Sequence, residues 1–208
     1  MTHPKQLHSA QFNRRQALMA LIGSVALPGC GGGGSVAGLS SGGTGSFTNG
    51  VIIGLGSIIV NGIRYDDSSA SVNGGTGRSS ELKLGMVVSV QGSSVTPAAV
   101  AGGLATATAS SISYESEWKG PVDSIDTTNN SFVMLGQTIK VLSTTVFDGE
   151  GVANLSNLAT QMLVEVHGFI DPITATLHAS RVEIKASLSE HRLSGAISNL
   201  TADTFSIG

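Results

Sequence analysis

The sequence predicts an all-β protein: two small five-stranded β-barrels of the OB type in tandem, after a signal peptide and a Gly/Ser linker. Three observations carry this expectation. Short Val/Ile-rich runs alternate with Gly, Asn, Asp and Ser clusters, which is the pattern of short strands joined by turns. Only 12% of the residues are charged and 40% are hydrophobic, with 28 glycines among 208 positions, so the chain has apolar material for small cores and many turns. A core pattern also recurs at offsets of 74 to 76 residues, the mark of a repeated module.

The N-terminal element, residues 1–29, reads as a lipoprotein signal peptide. A polar start with Lys5 leads to Arg14-Arg15, and then to an uncharged run from Ala17 to Pro28 of 12 residues. That run is short for a bilayer core, which takes about 20 apolar residues, and suits the apolar region of a signal peptide. The competing reading is a buried helix opening a globular domain, but glycine follows it rather than anything apolar to pack on. "NRRQAL" is similar to a twin-arginine export signal, with Ala17-Leu18 after the arginines, and a basic start for the general secretion route is the alternative.

"LPGC" resembles the lipobox of bacterial lipoproteins, with Leu27 three places before the cleavage point, Gly29 immediately before it and Cys30 as the acceptor. Pro28 is a less usual residue in that box. The resemblance implies acylation of the Cys30 sulfur and cleavage ahead of it. Each buried methylene contributes about 0.8 kcal/mol, so two or three acyl chains hold durably where one does not. The stretch 30–49 then reads as the lipidated Cys with a flexible Gly/Ser linker, and a 19-residue coil of this composition spans on the order of 24 Å. Removing Lys5, Arg14 and Arg15 from 11 basic residues leaves 8 against 14 acidic ones, a net charge of −6. Gly31 after Cys30 resembles lipoproteins sent to the outer membrane, facing the periplasm or the cell surface.

Residues 50–119 and 120–194 read as the two barrels. "LGMVVSVQG" (Leu84–Gly92) lies over "TQMLVEVHG" (Thr160–Gly168), so that Met86, Val88, Val90 and Gly92 fall on Met162, Val164, Val166 and Gly168. Asn61-Gly62 and Asn129-Asn130 suit tight turns, and "DPIT" from Asp171 turns the last hairpin. Five short strands without a disulfide need closed edges, which a barrel provides, with a two-sheet β-sandwich as the alternative. "GAISNLTADTFSIG" (Gly195–Gly208) repeats the opening of the second copy and reads as the start of an incomplete third repeat.

The ordered frame "VNGIRYD", "ELKLGMVVSVQG", "GPVDSID", "LGQTIKV", "VEVHG", "RVEI" and "GAI" resembles tandem copies of the domain-of-unknown-function family numbered 5666. That family is found in bacterial lipoproteins carrying export signals. The resemblance covers about Gly50 onward and implies a small β-barrel in the cell envelope, with no reaction and no cofactor attached to it.

The chemistry in the sequence is sparse. No nucleophile elbow, phosphate loop, dinucleotide fingerprint or paired-cysteine metal site can be read. His3 and His8 leave with the signal peptide. Glu165 and His167 alternate on one expected strand, and His178 sits on the next, so the three are candidates for a Zn or Cu site. The first copy carries Ser89 and Gln91 where the second has Glu165 and His167, so an outward polar face is the plainer expectation. Trp118 is expected to seal the seam between barrels, and Met86 and Met162 to fill cores. A charge of −6 with few aromatics argues against nucleic acid. The expectation is a non-enzymatic envelope lipoprotein that binds an unknown protein or small-molecule partner and reaches the membrane through its lipid anchor, the alternative being a periplasmic metal-binding module.

Overall fold

The computed structural model describes residues 45–207 apart from Thr76, Glu117 and Ala175. The expectations for Arg14, Arg15, Leu27, Gly29, Cys30 and the first part of the linker lie outside the described residues.

The first barrel comprises β1 (Gly45–Gly54), β2 (Ile58–Val60), β3 (Ile63–Asp66), β4 (Ser71–Asn73), β5 (Val87–Ser93) and β6 (Ala105–Tyr114). Strands β3, β2, β1, β5 and β6 follow one another in the sheet, and a parallel β3–β6 pairing closes it, from Ile63↔Ala105 to Asp66↔Thr108. The short β4 runs beside β6 in the same parallel sense. The second barrel comprises β7 (Trp118–Asp126), β8 (Ser131–Met134), β9 (Gln137–Asp148), β10 (Leu163–Ile170) and β11 (Leu177–Lys185), closed in the order β10-β11-β9-β8-β7. Here the single long β9 takes the place of β3 and β4. It meets β11 in two parallel stretches, Ile139–Val141 and Val146–Asp148, with the residues between them looped outward.

Both copies therefore have one topology: a three-strand meander, an antiparallel pair from the fourth and fifth strands, and a parallel contact between the third and fifth. That is an OB-like closure, and it excludes the sandwich, because each sheet ends on itself rather than facing a second one.

Sequence dictates this locally. Asn61 and Gly62 both have positive φ, at 49° and 77°, which a two-residue hairpin turn of the right twist requires between Val60 and Ile63. Leu135 and Gly136 make the same turn in the second copy, with φ of 51° and 75°. Asp126 accepts the backbone N–H of Asn129 at 3.0 Å, holding the four-residue turn before Ser131. Alternation then delivers one face of each strand inward. Ile52, Val60, Ile63, Tyr65, Val88 and Ile112 fill the first core, and Val122, Phe132, Met134, Ile139, Val164 and Leu177 the second. A 3₁₀ turn at Leu155–Asn157 lowers Leu155 and Leu158 into one end of the second barrel.

Two details differ from the sequence reading. Strand β1 starts at Gly45, inside the stretch expected to be linker. Residues Gly45 to Val51 pair in unbroken register with β5, and Thr48 is buried because its hydroxyl lies 2.7 Å from the buried Tyr65 hydroxyl. Small polar residues can occupy an interior strand position when a partner satisfies them. Trp118 is not a seam residue. It lies in β7, 2% exposed within the second core, and its indole N–H donates to the Ser194 carbonyl at 2.6 Å.

Candidate binding site: an apolar groove beside an ionic seam

The two barrels belong to one compact unit and lock through a loop and a bulge. In β11, Ser180 is skipped where Ala179 and Arg181 pair with Gly168 and His167, so the strand bulges and throws Ser180 and Arg181 toward the first barrel. Ser180 Oγ donates to the Gly85 carbonyl at 2.6 Å, and Arg181 Nη1 donates to the Leu84 carbonyl at 2.9 Å. Gly85 has a φ of +84°, and a Cβ there would stand 2.7 Å from the Ser180 carbonyl oxygen, so two independent constraints demand glycine.

Charges then staple the seam. Arg181, only 2% exposed, pairs with Asp148, and its Nη2 stands 3.3 Å from Glu183. Lys83 of the first barrel reaches Asp148 at 3.0 Å. Lys185 bridges Glu183 at 2.8 Å and Glu165 at 3.0 Å, and Lys119 adds a contact to Glu165 at 3.5 Å. Burial works to raise the Glu165 and Glu183 carboxyls, yet the hydrogen bond from Lys185 and the neighbouring cations outweigh it and hold both below the usual range. The Lys83 hydrogen bond chiefly holds Asp148 low. Burial, reinforced by a 2.7 Å hydrogen bond to the Glu81 carboxylate, pushes the Tyr114 phenol up. Lys83, Tyr114, Lys119, Glu165, Glu183 and Lys185 line a cleft of about 490 Å³ whose charges largely satisfy one another.

On another side of the same junction lies a groove of about 710 Å³. The first barrel contributes Ile53 and Leu84, and the second contributes Leu142, Val146 and Phe169, with His178 at its wall. Ile53 is 65% exposed, and Phe169, Leu142 and Leu84 are 46%, 45% and 40% exposed. Two of them are put there by irregularities. Ile53 sits where the β1–β2 register shifts between Ile52 and Gly54, and Leu142 opens the out-looped part of β9, its N–H held at 2.8 Å by Thr145 Oγ1. A concave, mostly apolar surface with a few polar side chains, here Thr144, Asp171, His178 and Ser180, is the usual composition of a ligand site.

The residues expected to gather around a metal do not meet. Glu165 is taken by Lys119 and Lys185. His167 faces Arg181 across the ladder and is 1% exposed, with neither ring nitrogen hydrogen-bonded among the described residues. His178 pairs with Phe169 and lines the groove instead. The hairpin carries them in succession, but the bulge after His167 and the Arg181 side chain separate them. Among the described residues no group of three or more His, Cys, Asp or Glu is placed to hold a metal ion. The polar face expected to be outward is buried at His167, opposite the buried Arg181. Desolvation lowers the His167 imidazole to about 4, so it is neutral near pH 7.

Sequence reasoning passed over Arg181, Asp148 and Gly85. A signal for Arg181 existed: "ASSISY" over "ASRVEI" puts an Arg into a strand where the other copy has Ser111.

Residues 119–183 match the model of a domain of unknown function, DUF5666. No curated protein and no solved structure matches the chain. The matched DUF5666 segment runs from β7 into β11 and so coincides with the second barrel, including the bulge that carries Arg181. The first barrel repeats the strand order of this matched segment, with the same loop-to-strand hydrogen bonds. Ile52 N–H donates to the Met86 carbonyl at 2.9 Å, and Val122 N–H to the Met162 carbonyl at 2.9 Å.

Proposed function

We propose that this protein is a non-enzymatic binding or assembly module of the bacterial cell envelope, anchored through acyl chains on Cys30, with the inter-barrel groove as its binding surface. The observation that carries the reading is the groove itself. Four large apolar side chains stand partly in solvent around one concavity, whereas the barrels' other exposed large apolar residues, Phe47, Leu55, Val100, Leu104 and Ile173, lie outside it. Exposed apolar surface gathered in one place marks an interaction site more often than chance exposure does. The net charge of −6 on the chain from Cys30 favours a neutral or cationic partner over a nucleic acid. Support for the envelope address comes from the Arg14-Arg15 start, the apolar run and the Leu27–Cys30 box.

Titration with the apolar fluorophore N-phenylnaphthylamine tests the groove. Saturable uptake at about one site per chain is expected. Leu142→Asp with Phe169→Asp should weaken it at least about tenfold, the equivalent of ~1.4 kcal/mol, while the melting temperature holds. Partitioning that never saturates, or that ignores the double substitution, removes the groove from the reading. The address is tested separately by intact mass of the membrane-extracted protein. A species starting at Cys30 with acyl mass added is expected, and a soluble chain starting at Met1 would overturn it.

A further inference from the structure

The outer face of the first barrel carries a second surface, separate from the groove. Strands β1, β5, β6 and β4 lie side by side there, and their register sets the outward side chains in rows. One row runs Phe47, Gln91, Ser111 and Ser71, and the next runs Asn49, Ser89, Ser113 and Asn73. Their strand neighbours Thr48, Val90, Ile112 and Val72 are buried, so alternation turns these eight outward. None of the eight is charged. A solvated protein surface ordinarily intersperses charges of both signs. The second barrel carries charges at the same positions: Glu165, His167, Arg181 and Glu183 stand where the first barrel has Ser89, Gln91, Ser111 and Ser113, and they pair in the same register. That charged face forms the ionic seam, whereas the neutral one is open.

A hollow of about 500 Å³ opens on the second row, lined by Asn49, Asn73, Ser89, Ser113 and Tyr114. Its charged lining residue, Glu115, is paired with Arg192. Asn49 is set in place twice. Asn61 Nδ2 donates to its carbonyl at 2.8 Å, and its own Nδ2 donates to Ser89 Oγ at 2.9 Å. Asn73, Gln91, Ser111 and Ser113 make no side-chain hydrogen bond among the described residues, so their donors and acceptors face outward unused.

We propose that this face binds an uncharged, linear glycan of N-acetylated hexosamines laid across the strands. Neighbouring strands lie about 4.8 Å apart, close to the length of one pyranose unit, so each sugar meets one strand. The serine hydroxyls suit sugar hydroxyls as both donors and acceptors. The side-chain amides of Asn49, Asn73 and Gln91 can each give and take a hydrogen bond with an acetamido group. Phe47, 45% exposed at the end of its row, offers an apolar plate to a sugar ring face or an acetyl methyl. A face without charge complements a ligand without charge. It disfavours nucleic acid and anionic lipid, both of which call for cations. Resting on the envelope reading above, the chain of this chemistry that the protein meets is the cell-wall glycan.

Calorimetric titration of the full chain with chitopentaose, a neutral chain of N-acetylglucosamine, tests this. Saturable uptake at about one site per chain is expected, with the same affinity in low and high salt because no ion pair forms. Asn73→Ala with Gln91→Ala, both at exposed positions, should weaken it at least about tenfold while the melting temperature and the groove's uptake of N-phenylnaphthylamine stay as they were. Heat that never saturates, or an affinity that survives the two substitutions, overturns the proposal. Displacement of chitopentaose by N-phenylnaphthylamine overturns it in favour of the groove, and equal binding of cellopentaose overturns the amino-sugar assignment. Sedimentation with purified cell-wall sacculi is read separately. Chitopentaose bound without sacculi bound overturns the wall glycan as occupant and leaves the chemistry of the face standing.

Discussion

His167 is the residue whose environment departs furthest from what its neighbours in sequence suggest. It is buried against Arg181 with both ring nitrogens unpartnered among the described residues, and desolvation lowers it to about 4 from an ordinary 6.5. The sign follows from which state takes up the proton. Between those values the unfolded chain binds a proton that the folded chain refuses, so stability is complete above about pH 6.5 and falls as the pH drops toward 4. The loss is about 3 kcal/mol, at ~1.4 kcal/mol per unit. His167→Gln, which installs the amide that the first copy has at Gln91, should flatten this part of the profile. Urea midpoints measured from pH 7 to 4.5 decide it, and a variant with the same slope as the parent refutes the assignment. Below that range Glu165, Glu183 and Asp148, all held low, add a separate acid loss as they protonate.

Strands β5 and β10 carry Gly92 and Gly168 near their ends, equivalent in the repeat and opposite the bulges of β6 and β11. At each the backbone φ is ordinary, so conformational freedom is not the reason for glycine. A Cβ on Gly92 would collide with the Thr108 carbonyl, and one on Gly168 with the His178 carbonyl. The bulge brings the fifth strand so close that only hydrogen fits. Gly168→Ala should therefore destabilise by about 1–3 kcal/mol, typical of overpacking in a closed structure. It should also shift the β10–β11 register, which backbone amide chemical shifts from Ile170 to Arg181 report. A neutral Ala at this position would mean that the bulge is not a fixed element.

Across the whole molecule, Arg181 joins what the fold would otherwise leave as two beads. It is buried, hydrogen-bonded to the first barrel's Leu84 carbonyl and paired with two carboxylates. Arg181→Ala leaves Asp148 and Glu183 to Lys83 and Lys185 but removes the buried guanidinium's hydrogen bond to the Leu84 carbonyl, and loss of such a charged hydrogen bond costs about 1.5–3 kcal/mol. The larger effect is on cooperativity. Calorimetry should resolve one transition in the parent and two in the variant, as each barrel unfolds on its own core. A single, merely lowered transition would show that the seam's apolar contacts suffice.

The barrel architecture was legible because it is set by local and repeated signals. Alternation decides which face of a strand is apolar, Asn61-Gly62 decides a turn, and the matched pairs Met86/Met162 and Gly92/Gly168 tell one module from two. The core followed for the same reason, with Val88, Val90, Val164 and Val166 all inside. The site was not legible. Whether Glu165 and His167 face water depends on Lys119, Lys185 and Arg181 of the neighbouring strands, and whether Leu142 and Ile53 share a groove depends on where two irregularities meet in space. Composition also misled at the start of β1, where Gly, Ser and Thr read as a tether but pair along β5. Strand identity is written in residues a few places apart, whereas the seam and the groove join positions up to 97 residues apart, such as Leu84 and Arg181, and only closure of both barrels brings those together.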